Sequence, residues 1–425
     1  MPNRRCRALC VAGTLLGSCL AALTSSAPPQ AATPWPEFRG PTGDGVSEEK
    51  QLPLEWSESQ GIAWKTPLAG KAWSSPVLWD GLVWLTNATE DGRRLSAVAV
   101  AIDSGRIVHD LTVFEIAVPQ FCHPFNSYAS STPVIERDRL YVHYGSAGTA
   151  CLDTATGHIL WARQDLPCDH FRGPGSSPII HGDLLIVAFD GFDLQYVVAL
   201  DKRTGKTVWR KDRDIDYGTN DGDAKKAYPT ARVITSEGRE QVVLPSAGAT
   251  IAYDPASGDE LWRVNHGGMN ASARPLFAHG MVYINTAAGG MRFLAVRPDG
   301  SGDVTGSHIA WKSSQGGGSR SSQLLLGDRL FLLGDAGTAT LLDAHSGKAV
   351  WQKRLGGEFS ASPVLAAGRI YASNQNGDTV VLSASDPYAV LATNKLDTGC
   401  MASPAVFAGA IYLRTKTHLY KIGPR

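Results

Sequence analysis

The amino-acid sequence predicts an all-β fold, an eight-bladed β-propeller of four-stranded antiparallel blades. Three observations predict it. A motif in which Asp precedes Gly by four residues, and Gly precedes Trp by four, recurs along the chain. A short mark, Ser or Thr in all copies but one and followed in most by Pro, opens eight successive units. A tryptophan-bearing strand stands before the first unit, and the last unit lacks one.

The first motif appears as Asp153, Gly157 and Trp161; Asp201, Gly205 and Trp209; Asp254, Gly258 and Trp262; and Asp343, Gly347 and Trp351. Degenerate copies run through Asp103 and Gly105, with His109 in the tryptophan position, and through Asp299 and Gly300, with a longer loop before Trp311. An Asp carboxylate can accept backbone N–H groups across a turn, and Gly supplies the positive φ of a hairpin with a bulge. Trp then falls on the following strand, where its flat ring can fill the space against a neighbouring sheet. These residues therefore read as turn and packing groups.

The opening marks are Ser75, Thr132, Ser177, Thr230, Arg274, Ser322, Ser362 and Ser403, six of them followed by Pro. Their spacing runs from 40 residues (Ser322 to Ser362) to 57 (Ser75 to Thr132). A turn and an aromatic-rich strand follow each mark, then a third strand leading into the Asp…Gly turn and a fourth carrying Trp. Four strands in about 40 to 50 residues is the period of propeller blades. The eighth unit ends without its fourth strand, while Trp64 lies on an unattached strand near 62–66. Pairing the two closes the ring and removes a sheet edge.

Composition agrees. The 425 residues include 45 glycines, 24 prolines and 11 tryptophans, with 43% hydrophobic and only 19% charged side chains. No segment reads as a long amphipathic helix. Arg4, Arg5 and Arg7 precede an uncharged apolar run from Ala8 to Leu23, with Ser25 and Ala27 placed as a cleavage site. Residues 1–27 thus read as a signal peptide, 28–60 as an N-terminal extension and 61–425 as the propeller. Leu16, Gly17, Ser18 and Cys19 resemble a lipobox, which would make Cys19 a lipid anchor instead. Either way the expected location is the periplasm or cell envelope, with no transmembrane span in the mature chain. Without the leader's three arginines, 37 basic residues face 40 acidic ones, so nothing favours nucleic acid as a partner.

The Asp-x-x-Thr-Gly-x-x-x-Trp repeat resembles that of the pyrroloquinoline-quinone-type propellers, and the likeness covers about residues 61–425. That family includes quinoprotein alcohol dehydrogenases and the outer-membrane-protein assembly lipoprotein. The opening from Trp35 to Gly45 resembles the N-terminal segment of exported planctomycete-type members. The resemblance implies two functions: a non-catalytic binding or scaffold module of the envelope, or a quinoprotein dehydrogenase using pyrroloquinoline quinone and calcium. The second needs carboxylate ligands, a base and, in many relatives, a vicinal disulfide. This chain has no adjacent cysteine pair, and no base or calcium set can be assigned. Neither a Gly-x-Ser-x-Gly elbow, a His-Glu-x-x-His helix nor a phosphate loop is present.

Variation is best tolerated in the loops that enter each blade, which share a face with the loops between second and third strands. Two entering loops stand out: Cys122, His123 and Asn126 before the second blade, and Cys168, Asp169, His170 and Arg172 before the third. Asp190 and Asp193 open on the same face. His123, Asn126, Asp169, His170, Arg172, Asp190 and Asp193 are the candidate ligand-binding residues, for an envelope protein or a small ligand. The near-equivalent placing of Cys122 and Cys168 leaves three readings: a disulfide, a zinc or copper site with His123 and His170, or ordinary loop packing. Asp214, Asp216, Asp221 and Asp223 form an acidic loop suited to calcium or to solvent, and His266 and Asn270 suit a polar mouth or a turn cap.

Overall fold

A proline ring keeps the residue before it out of the helical region, so six of the eight opening marks hold the chain extended as a blade begins. The computed structural model describes residues 33–424 except Ala288 and Gly316, together with Asn3, Ala8 and Leu9. Apart from those three residues, the leader read over 1–27, including Cys19, lies outside the described residues. Eight antiparallel sheets follow in chain order. Blade 1 consists of Val77–Trp79, Leu82–Ala88, Arg94–Ala101 and Ile107–Glu115. Blades 2 to 7 span 134–163, 179–212, 232–265, 276–313, 324–354 and 364–395.

Blade 8 is the closure. Its inner strands Ala405–Phe407, Ala410–Arg414 and His418–Ile422 are completed by Ile62–Pro67, which pairs antiparallel with the last of them. Trp64 stands opposite Lys421 and Thr66 opposite Leu419. The two ends of the chain thus share one sheet.

The blades are joined near the axis by their opening marks. The Ser75 backbone N–H donates to Thr132 Oγ1 (3.0 Å), Thr132 N to Ser177 Oγ (2.9 Å) and Ser177 N to Thr230 Oγ1 (3.3 Å). Arg274 N donates to Ser322 Oγ (3.0 Å), Ser322 N to Ser362 Oγ (2.9 Å), Ser362 N to Ser403 Oγ (2.8 Å) and Ser403 N back to Ser75 Oγ (3.1 Å). Only the step from Thr230 fails, because Arg274 has no hydroxyl to receive it. The Arg274 guanidinium instead donates to the carbonyl oxygens of Ala231 (2.9 Å) and Phe38 (2.7 Å) and pairs with Glu37 (2.9 Å).

Farther out, the Asp…Gly…Trp motif works between blades. Trp161 Nε1 of blade 2 donates to the Lys202 carbonyl in the blade 3 turn, and Trp209 of blade 3 to Pro255 in blade 4, both at 2.9 Å. Trp311 of blade 5 and Trp64 of blade 8 make the same 2.9 Å bond to Ala344 and Ile102. In blade 4 the bond is relayed: Trp262 Nε1 donates to Gln241 Oε1 (2.7 Å), whose Nε2 donates to the Pro298 carbonyl (2.9 Å). A Cβ on Gly205, Gly258 or Gly347 would lie 2.6, 2.6 or 2.4 Å from the ring of the preceding blade's tryptophan. The glycine therefore serves the neighbour's ring as well as its own turn. Apolar clusters fill the same seams; one joins Ile186, Val197 and Trp209 of blade 3 to Val242, Leu244 and Ile251 of blade 4.

Two features go beyond eight four-stranded blades. Blade 4 carries a fifth, parallel strand, Gly302–Asp303, opposite Trp262 and Arg263. It comes from the longer loop before Trp311, whose Val304 N–H donates to the Arg263 carbonyl (2.8 Å). The segment 35–53, part of the extension, also docks on the ring. Trp35 pairs with Leu78 of blade 1, and the buried Arg39 donates to the carbonyl oxygens of Gln323 (2.7 Å) and Pro363 (2.8 Å). Val46 pairs with Leu365 of blade 7, and the Pro53 carbonyl accepts Tyr371 Oη (3.1 Å). The Pro36 carbonyl also accepts the Ile135 N–H of blade 2 (2.9 Å) and the Thr42 carbonyl accepts Arg232 of blade 4, so one strap touches blades 1, 2, 4, 5, 6 and 7.

The dual duty of the turn glycine is measurable. Gly347 (φ 68°) and Gly327 (φ 58°) both sit in the left-handed region, but a Cβ at Gly327 meets nothing within 4 Å. Gly327→Ala is expected to cost about 1 kcal/mol in backbone strain. Gly347→Ala adds displacement of Trp311 and loss of its hydrogen bond, for a total of roughly 2 to 4 kcal/mol. Urea unfolding of the two variants checks the difference; equal losses would contradict the inter-blade role.

Candidate functional site

The entering loops surround a cavity of about 420 Å³ at one mouth of the channel. Its inner surface is the hydroxyl ring, with Ser75, Thr132, Ser177, Thr230, Ser362 and Ser403 all facing it. Phe38, from the N-terminal strap, also lines it, next to the carbonyl that Arg274 holds. The break in the ring is therefore where the strap enters the site.

Aromatic and charged groups line the upper wall. Trp73 Nε1 donates to the Phe125 carbonyl (3.0 Å), and the Phe125 ring lies 4.7 Å from the Arg320 guanidinium. The loops entering blades 2 and 6 are four places apart in a ring of eight, so this cation–π contact spans the mouth. Arg320 pairs with Asp335 (3.2 Å), and Arg172 pairs with Asp223. Among the described residues, Asn270 Oδ1, Arg320 Nε and Asp335 Oδ1 are buried without a protein partner. Beside the wall, Lys226 donates to Tyr228 Oη (2.6 Å), and burial lowers its ammonium pKa to about 8.

Of the seven ligand-binding candidates, His123, Asn126 and Arg172 line the cavity. Asn126 Nδ2 donates to the carbonyl oxygens of Arg172 (2.9 Å) and Pro174 (3.0 Å), and His123 Nδ1 accepts the Phe125 N–H (3.1 Å). The other four serve the loops and the core. Asp169 accepts the Phe171 N–H (2.8 Å), and Asp193 accepts the N–H groups of Asp169 and Leu194 (both 2.7 Å). Asp190 pairs with Arg213 at 2.6 Å, with both side chains fully buried. His170 is buried and its Nε2 accepts the Ser146 N–H (3.0 Å). Asn270 lines the mouth, whereas His266 is buried against Thr250 Oγ1 (3.0 Å). Trp73, Tyr228, Arg320 and Asp335 also line it; only their place in entering or second-to-third-strand loops marked them.

The expected disulfide between Cys122 and Cys168 is corrected: both cysteines are free. Their loops do meet, but amide side chains join them. Gln120 Nε2 donates to the Cys168 carbonyl (3.0 Å), and Gln120 Oε1 accepts the His170 N–H (3.2 Å). The Cys168 thiol turns into blade 3, where a Cβ on Gly191 would lie 2.2 Å from it, and the Cys122 thiol turns toward Gly173. Burial raises both thiols, Cys122 to about 11. Nor do Cys122, His123, Cys168 and His170 converge as metal ligands, since among the described residues no three of them bring ligand atoms within 4.8 Å of one another. The acidic loop does not converge either. Asp223 there is held by Arg172 and Lys226, and Asp221 caps the short turn Gly222–Lys225.

The quinone and calcium implied by the resemblance require several oxygen anions at the mouth. Among the described residues Asp335 is the one carboxylate lining the cavity, and Arg320 and the Ser319 N–H (3.1 Å) already hold it. With no cysteines adjacent in sequence, this donor set does not fit a calcium–quinone pair.

Burial keeps three histidines neutral, lowering His143 to about 3 and His170 and His266 to about 4. Unfolded imidazoles take protons near pH 6.5, so the unfolded state gains protons first as pH falls. Stability carried by the neutral rings is complete above pH 6.5 and is lost as pH falls toward 4. At pH 5 the loss should be roughly 1 to 2 kcal/mol per histidine. Urea midpoints at pH 7 and pH 5 check this, and His266→Gln should flatten the slope; equal midpoints would contradict it.

Comparison with known proteins places the architecture. The family model described as outer membrane protein assembly factor BamB matches residues 115–195 and 193–424. BamB of Francisella salina is 26% identical over 241 residues, covering 54% of this chain and 41% of the relative. Methanol dehydrogenase subunit 1 of Methylobacterium organophilum is 31% identical over 152 residues, covering 31% of this chain and 22% of the relative. The chain spans less than half the length of the curated relatives it matches. Among solved structures, quinohemoprotein alcohol dehydrogenase from Comamonas testosteroni aligns with a TM-score of 0.67 at 12% identity, covering 92% of this chain and 81% of that one. BamB from Moraxella catarrhalis aligns at 0.57 and 14% identity, covering 85% and 99%. Those two likenesses show the fold alone; with the repeat motif and the match over 115–424, the chain belongs to the BamB-type family of pyrroloquinoline-quinone-like β-propellers.

Proposed function

We propose that this protein is an exported, non-catalytic binding module that holds an envelope protein on its entering-loop face. The observation that carries the reading is an exposed aromatic strip beside the cavity. Phe121, 59% exposed, packs against Phe171 (6.0 Å between ring centres), which packs against Phe192 (5.2 Å). Arg172 and Lys226 lie over the Phe171 ring at 6.0 and 5.6 Å. Exposed aromatics set among cations are the composition of protein-binding hot spots. Two relatives carry the name of an outer membrane assembly factor, which supports a partner in the envelope, and the basic apolar leader supports export.

A photo-reactive residue at Phe121 or Phe171, in protein expressed in its native envelope, is expected to cross-link to another protein. The same probe at Val208 or Val350, exposed on outer strands, should not. No adduct at either phenylalanine would contradict the docking face. Reduction of an electron-accepting dye by protein supplied with quinone, calcium and an alcohol, abolished by a chelator, would replace this reading with a dehydrogenase.

A further inference from the structure

On the face opposite the cavity, three side chains from neighbouring turns point at one spot. His279 lies in the turn between Leu276–Ala278 and Met281–Asn285 of blade 5, with φ 53°. Asp328 lies in the corresponding turn of blade 6, and His345 in that blade's Asp343…Gly347 turn. His279 Nε2 is 3.4 Å from Asp328 Oδ1, and His345 Nε2 is 3.2 Å from the same oxygen. All three ligand atoms lie within 4.8 Å of one another, and this is the one such group of three His, Cys, Asp or Glu among the described residues.

We propose that His279, Asp328 and His345 form a binding site for a divalent transition metal, zinc being the natural occupant, that clamps blade 5 to blade 6. The spacing supports it. Ligands on a tetrahedral zinc with bonds of about 2.0 to 2.1 Å stand about 3.3 Å apart, the separation of each imidazole nitrogen from the carboxylate. The two imidazole nitrogens lie within 4.8 Å of each other, so a small turn of one ring suffices to complete the set. His345 is on the surface, with 55% of its side chain exposed, and can turn to do so.

The surroundings orient the ligands. His279 Nδ1 lies 3.0 Å from the hydroxyl of the buried Tyr283. With Nδ1–H donating to that oxygen, the Nε2 lone pair faces Asp328, the outer hydrogen bond typical of metal-bound histidine. The Ala344 N–H donates to the Asp328 carbonyl (2.9 Å), which fixes the two blade 6 turns together. Nearby Arg329 is paired with Asp343, so its charge does not stand free against a cation. Two imidazoles and one carboxylate suit zinc, nickel or copper better than calcium or magnesium, which prefer oxygen alone. A fourth position faces solvent and would take water. The site is independent of the aromatic strip and of any partner bound there.

The test uses tag-free mature protein stripped with a chelator. Zinc is titrated by calorimetry and cobalt by its visible absorption. One equivalent per chain is expected, with the cobalt spectrum of a tetrahedral nitrogen–oxygen site. His279→Ala and His345→Ala should each weaken binding at least tenfold while circular dichroism stays unchanged. Zinc should raise the Tm of the native sequence and not of His345→Ala. His123→Ala, at the opposite mouth, should bind as the native sequence does. Failure to bind zinc at 100-fold excess, or binding unaffected by both histidine variants, would overturn the proposal.

Discussion

The backbone N–H that opens one blade donates to the side-chain hydroxyl that opens the next, and the architecture depends on this contact. Seven such bonds run around the axis, at 2.8 to 3.3 Å. Leaving a buried N–H unpaired costs about 1 to 3 kcal/mol. Each hydroxyl sits at the one place where it can satisfy its neighbour, which fixes the rotation from blade to blade. The proline that usually follows brings no N–H of its own and keeps the mark extended. The same hydroxyls become the inner surface of the cavity, so the contact that sets the ring also makes the site polar.

The single break has a structural use. Arg274 stands where a hydroxyl would close the circle, and its guanidinium reaches Ala231, Glu37 and Phe38 instead. That grip holds the N-terminal strap and places Phe38 in the cavity. A long, rigid fork of donors can do this and a serine cannot. The strap then continues along blades 6 and 7 to the strand that completes blade 8. Ring closure and site formation are thus carried out by one continuous stretch of chain.

Most of the fold was legible because its period is written in chemically distinctive residues. The hydroxyl–proline marks and the Asp…Gly…Trp turns identified every blade, and the orphan Trp64 strand identified the closure. Packing of the tryptophans against a neighbouring sheet was legible too, but the inter-blade use of Gly347 was not, since turn chemistry alone already accounts for a glycine there. The strap was read as an extension because its partners, such as Gln323 and Leu365, lie hundreds of residues away. The site was legible in part. His123, Asn126 and Arg172 follow from loop position, whereas Asp190 and His170 carry the same residue types but turn inward. The Cys122–Cys168 reading placed the two loops together correctly and the bond wrongly, because spacing fixes backbone neighbourhood and not the direction of a thiol. The His279, Asp328 and His345 cluster has no sequence spacing at all; it arises where turns of two blades meet.

If hydroxyl ring, tryptophan contacts and shared eighth blade make one cooperative unit, no blade can open alone. Native-state hydrogen exchange under increasing denaturant tests this directly. The account predicts that second-strand amides in all eight blades, including Leu85, Tyr141, Val243, Phe331 and Tyr412, exchange with one opening free energy equal to that of global unfolding. Among the marks, Thr230 should exchange fastest, since its N–H has no hydroxyl to meet. A blade that exchanges at a clearly lower free energy than the rest, blade 8 above all, would contradict the account.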